Sequence, residues 1–248
     1  MMYKDILTVM WKALKGLFRI QGRKGQTILM MFTPLMLAVV MPLQLKEGWV
    51  ESGLSLMIAA IIPLLLVGTS IPAAFASERE QHTLPTLLAS RLSDRAILFG
   101  KMITSVAFGW GITLIVLLLG LVTANIALWD GHLLFYKPSV FIADIVISLL
   151  VSLLIAGAGV LFSLRAESVQ QAQQSLMAVM LIPLMVLQAA FFVLATTASG
   201  KTKLKAILES LSFEQFSLIL VAILALLAVA MIIIAIRQFK RERLILTL

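Results

Sequence analysis

The chain of 248 residues is 61% apolar and 13% charged, with a mean hydropathy of +1.06 and no cysteine. Soluble domains carry roughly 25% charge and about 45–50% apolar residues, so the composition excludes a soluble globular protein. Without cysteine it also excludes a disulfide framework and a thiolate metal site. The net charge of +8 is a topology signal before it is a nucleic-acid signal, because Lys and Arg flanking membrane spans set orientation.

In chain order, residues 1–25 predict an interfacial amphipathic helix. Tyr3, Ile6, Leu7, Met10, Leu14, Leu17 and Phe18 recur at three- and four-residue spacing, while Lys12, Lys15 and Arg19 fall on another face. A basic polar face with Trp11 beside it suits the lipid headgroup region, and Gly22 and Gly25 bend the chain before the first span. No short apolar core followed by a small-residue cleavage site appears, so no cleaved signal peptide is expected.

Six segments then approach the roughly 20 apolar residues that cross a bilayer: 27–44, 53–76, 102–129, 139–164, 176–198 and 216–236. Pro34, Pro42, Pro63, Pro72 and Pro183 fall inside the first, second and fifth. Proline is tolerated in spans whose neighbours satisfy the freed carbonyls, although the second segment has a candidate break at Gly68 or Pro72. The expected fold is an all-α polytopic membrane protein, one transmembrane domain over residues 1–248. Residues 27–76 hold spans 1 and 2, 77–101 a polar loop, 102–236 spans 3 to 6, and 237–248 a basic tail. Six spans put both termini on one side, and cytoplasmic termini leave fifteen of the twenty Lys and Arg residues in the cytoplasm. The positive-inside rule therefore predicts a multi-pass cell-membrane protein with both termini cytoplasmic.

Enzymatic motifs fail one by one. The SGKT at 199–202 resembles the end of a phosphate-binding P-loop, but Ala195 stands where that pattern needs its first glycine. His82 and His132 fall on opposite sides of the membrane in this topology and cannot share a metal. No HExxH, GxSxG or intramembrane carboxylate pair is present. The chain is expected to be no enzyme, with no cofactor or metal of its own and no nucleic-acid partner. Asp144 is the one acidic residue within a predicted span, and such residues are functional candidates; five residues from the segment's end, it also has room to be solvated. Asn125 and Gln188, near span ends, read as interhelical hydrogen-bonding residues. All three are candidates for a substrate path.

The polar loop, SEREQHTLPTLLASRLSDRAILFGK at 77–101, carries seven charged residues between two apolar runs. Thr83 is a candidate N-cap and Pro85 is tolerated in a first turn. Leu84, Leu87, Leu88 and Leu92 then follow one face. Ser93 is a second candidate N-cap, with Asp94 in the next first turn complementing the helix dipole. The result is a short amphipathic helix between spans 2 and 3, too short to span and suited to a groove on a partner.

Here the residues resemble a family. Glu78, Glu80, Thr83, Leu84, Leu87, Leu88, Ser93, Ile97, Leu98, Gly100 and Lys101 look like the loop of ABC-2 type permeases, the membrane subunits of ATP-driven exporters. His82, Pro85 and Arg91 stand where members commonly have Gly, an acidic or polar residue, and Pro. The resemblance implies that this loop is a cytoplasmic coupling helix docked on a separate ATPase, with Glu78, Glu80, Thr83, Leu84, Leu87, Leu88, Arg91, Ser93, Gly100 and Lys101 contributing. It implies two copies of that ATPase, which would bind the ATP and Mg, and a second permease subunit in the bilayer, identical or different. The cargo would be a hydrophobic or amphipathic compound (drug, peptide or lipid-linked) or an ion. A haem-exporter-type ABC permease, a non-transporting membrane anchor or sensor subunit and a proton-coupled carrier are the alternatives.

Overall fold

A computed structural model describes residues 2–20, 24–46, 48–81, 93–129, 131–197 and 212–239. These form eight helices and no strand: α1 (Met2–Ile20), α2 (Lys24–Leu45), α3 (Gly48–Glu51), α4 (Ser55–Glu80), α5 (Asp94–Ala127), α6 (Pro138–Ser163), α7 (Val169–Thr196) and α8 (Phe213–Gln238). Each of the six apolar segments read from the sequence lies largely within one of the long helices. Among the described residues four, α4, α5, α6 and α8, are long and apolar enough to cross a membrane, while α2 offers the shorter apolar stretch Met31–Leu45.

The central pair is α4 and α6. α8 lies along α6, α5 along α4, α7 touches both members of the pair, and α1 and α2 lie along α5. Small residues permit the closest approaches: a Cβ at Gly157 of α6 would stand 3.0 Å from Met231 Cβ and 3.1 Å from the backbone nitrogen of Ile232 in α8. Two apolar clusters divide the bundle lengthwise. One joins Val67, Ile71, Phe75, Ile97, Leu98, Ile155 and Phe239. The other joins Trp49, Val50, Ile58, Ile62, Val116, Leu117, Tyr136 and Val140. The remaining large apolar surface points outward, with Phe32, Ile115, Ile126, Met185, Phe192 and Leu226 all exposed, as expected where lipid rather than water is the solvent.

The anticipated break at Gly68 or Pro72 does not occur, and α4 runs unbroken from Ser55 to Glu80. Side-chain hydrogen bonds reinforce the stretch before Pro72. Thr69 Oγ1 donates back to the carbonyls of Leu65 and Leu66 at 2.9 and 3.0 Å, and Gln173 Nε2 of α7 donates to the Thr69 carbonyl at 3.2 Å. The α1 pattern also resolves differently from a single apolar face. Val9 is buried and lies with Ile6 against α5, whereas Leu7 and Trp11 are exposed and Lys15 Nζ lies 4.8 Å from the Trp11 ring centroid. α1 therefore presents one apolar arc to the protein and another outward.

Candidate functional site at the α4–α5 junction

The 82–92 segment joins the last turn of α4 to the first turn of α5. The residues on either side of it are specified in detail. Ser93 caps α5, its side chain accepting from Ala96 N at 3.3 Å, and Asp94 occupies the first turn. This is the cap expected from the sequence.

On the α4 side, three consecutive charged residues reach three different helices. Glu78 Oε2 pairs with Lys101 Nζ of α5 at 2.5 Å. Arg79 Nη1 donates to the carbonyls of Leu164 and Ala166 at 2.9 and 3.5 Å, just past the end of α6, where carbonyls lack helical partners. Glu80 Oε2 accepts from Val169 N, at the start of α7, at 3.0 Å, a position that favours a negative charge. Consecutive helical residues point about 100° apart, so one turn of α4 can hold α5, the α6–α7 turn and α7 together.

Lys101 is the hub. Its side chain is only 7% exposed, and a buried ammonium persists only when paired and hydrogen-bonded. Besides Glu78 it donates to the Ala74 carbonyl at 2.7 Å and lies 4.8 Å from the Phe75 ring centroid. Phe75 in turn meets Phe239 edge-on, with centroids 5.8 Å apart and planes at 82°, which adds the end of α8. The adjacent Gly100 faces α1: a Cβ there would stand 2.6 Å from Val9 Cγ1 and 3.3 Å from the Ile6 carbonyl oxygen. Only hydrogen at this position lets α1 cross α5 so closely.

Of the residues assigned to the loop from sequence, Glu78, Glu80, Ser93, Gly100 and Lys101 are thus placed, whereas Thr83, Leu84, Leu87, Leu88 and Arg91 lie outside the described residues. Gly100 and Lys101 correct the expectation of a docking surface. Both are buried, one under α1 and the other beneath α4, and any effect they have on a partner passes through the helices they hold. Sequence reasoning missed Arg79, Phe75, Phe239 and Val9. Arg79 carried a signal, as a cation one residue from each of two assigned carboxylates; the apolar three did not stand out from their surroundings.

The three substrate-path candidates are not gathered. Asn125 spends its amide on the α5–α6 connection, donating to the Leu121 and Leu134 carbonyls at 2.9 Å and accepting from Leu134 N at 2.8 Å. It bonds within its own helix and to the following loop rather than to another span. Gln188 is exposed on α7. Asp144 is fully buried, which corrects the solvated reading. The 199–202 stretch lies outside the described residues.

No family model, curated protein or solved structure matches this chain. The arrangement itself defines an all-helical, membrane-type bundle whose polar loop is rooted in several helices at once.

Proposed function

We propose that this chain is the permease subunit of an ABC-2 type exporter, in which α2, α4, α5, α6, α7 and α8 all cross the membrane and both termini face the cytoplasm. Segment 82–92 is its coupling helix, α1 lies in the cytoplasmic headgroup layer, and a separate ATPase in two copies supplies ATP hydrolysis. A second permease subunit completes the path for a hydrophobic or amphipathic cargo or an ion. One observation carries this reading beyond the sequence resemblance: Glu78, Arg79 and Glu80 fasten the root of the segment to α5, the end of α6 and the start of α7. A push on a segment rooted this way reaches four long helices together, which is what a part that transmits movement requires. ATP binding drives the cycle only as far as its affinity differs between the two arrangements of the bundle.

The test is co-purification of the detergent-extracted chain with a co-expressed ABC-type ATPase, wild type beside Leu87→Asp. Retention of the ATPase by wild type and its loss from an otherwise stable Leu87→Asp chain is the expected result. A stable wild-type chain that retains no ATPase, with every candidate co-expressed, overturns the reading in favour of a membrane anchor. Glu80→Arg is a poorer probe, because Glu80 also holds Val169.

A further inference from the structure

At the end of the bundle away from segment 82–92, Asp144 sits where an ionised carboxylate has little to hold it. The residue is 0% exposed. Among the described residues Oδ2 has a single partner, Ser55 Oγ at 2.8 Å, itself 0% exposed on the first residue of α4, while Oδ1 has none. The neighbouring Tyr136 hydroxyl is already committed: it accepts from Trp49 Nε1 at 2.8 Å and donates its one proton to the Leu117 carbonyl at 2.9 Å. Burial, and then the Asp144 carboxyl beside it, push the Tyr136 hydroxyl above the usual phenol range. Among the described residues the other charged or titratable groups of this end are Lys46, Glu51, His132, Lys137 and Glu214, and all are exposed. Among the described residues no cation reaches Asp144.

A buried carboxylate without a cation or a full set of donors is costly, and neutralisation is the usual escape. A proton fits this site better than any other ligand. The 2.8 Å contact serves equally with the Ser55 hydroxyl donating to the carboxyl or the carboxyl O–H donating to Ser55 Oγ. An alkali cation would need several oxygen ligands with free lone pairs, and among the described residues Asp144 and Ser55 are the pair in hydrogen-bond contact here. We propose that Asp144 is a proton-binding latch between α4 and α6, holding a proton while Ser55 and the second turn of α6 are together and releasing it when they part. The balance is one proton passing from the Asp144 carboxyl to water admitted between the helices, with no other co-reactant. Gly53 joins α3 to α4 at φ +72°, a backbone conformation that L side chains seldom adopt. The latch holds whether or not the ABC-2 reading does, because it depends on α4 and α6 alone. Under that reading, it favours the arrangement of the bundle in which α4 and α6 are parted as external pH rises.

The test uses the full chain in vesicles of uncharged phospholipid, with infrared spectra taken from about pH 6 to about pH 10, a range above the ordinary carboxylate values. A protonated-carboxyl carbonyl band that is present at the low end, lost at the high end and missing from Asp144→Asn is the expected result. The absence of such a band from wild type at the low end overturns the proposal, and a labelling rate that then follows Na⁺ instead of pH assigns a cation site. Opening is read by an impermeant maleimide on Ala59→Cys, a position 0% exposed in a chain that has no native cysteine. The labelling rate relative to the same cysteine in an Asp144→Asn background should climb with pH, by at most about tenfold per unit for one proton. A flat ratio overturns the latch. If Asp144→Asn does not fold, Ser55→Ala replaces it: removing the carboxyl's one partner should shift the band, and an unmoved band means that another carboxyl was seen.

Discussion

The two ends of this bundle solve the same physical problem in opposite ways. Each buries an ionisable side chain where α4 meets a neighbour. Lys101 receives a counter-ion, a backbone carbonyl and an aromatic face, whereas Asp144 receives one hydroxyl. The first arrangement compensates a buried charge with three contacts. The second fits an uncharged carboxyl and becomes unfavourable when the proton leaves. A rigid root beneath the 82–92 segment and a releasable contact at the far end is the division of roles a lever needs.

The comparison breaks most visibly at Lys101. Lys101→Met removes the ion-pair partner of the largely buried Glu78, and loss of one member of such a pair costs about 3–5 kcal/mol. Denaturant unfolding in micelles should register that loss, and the double substitution Lys101→Met with Glu78→Gln should recover much of it. A single substitution no worse than the double would mean that the pair contributes little. At the opposite end, Tyr136→Phe leaves Trp49 Nε1 without its hydroxyl acceptor and removes one hydrogen bond to the Leu117 carbonyl, for about 1–3 kcal/mol and with a change in Trp49 fluorescence. Gly100→Val falls in a similar range, about 1–3 kcal/mol of overpacking. It acts by lifting α1 from α5, so a cysteine at Val9 should become open to maleimide, while an unchanged labelling rate would deny the close crossing.

The helical plan was legible because apolar runs of this length have few other uses, and both the Ser93 cap and the Glu78 and Lys101 positions stood out as polar features beside apolar runs. The interior role of Gly100 and Lys101 was not legible. A Gly-Lys pair reads the same whether it faces water or a crossing helix, and only the position of α1 decides. α4 was harder still: Gly68 and Pro72 suggest a break, and Gln173, more than a hundred residues away in sequence, donates to the Thr69 carbonyl between them. Asp144 was misjudged because its distance from the segment's end measures depth along the bundle axis, not enclosure by α4. No periodicity in the sequence reports that Ser55 and Asp144 share one contact.

The smallest effect is the most discriminating. Asp144→Asn keeps the shape of the side chain and removes only its capacity to ionise. If the carboxyl is uncharged in the closed bundle, the substitution costs less than about 1 kcal/mol near pH 6, since it exchanges one neutral hydrogen-bonding group for another. The sign then depends on pH. A group that holds its proton in the folded protein and gives it up on unfolding contributes stability that fades as pH rises, so wild type should weaken towards high pH while Asp144→Asn does not, and the two curves should cross. A large loss at low pH for Asp144→Asn would mean instead that the carboxylate is held ionised, and the two ends of the bundle would then be alike.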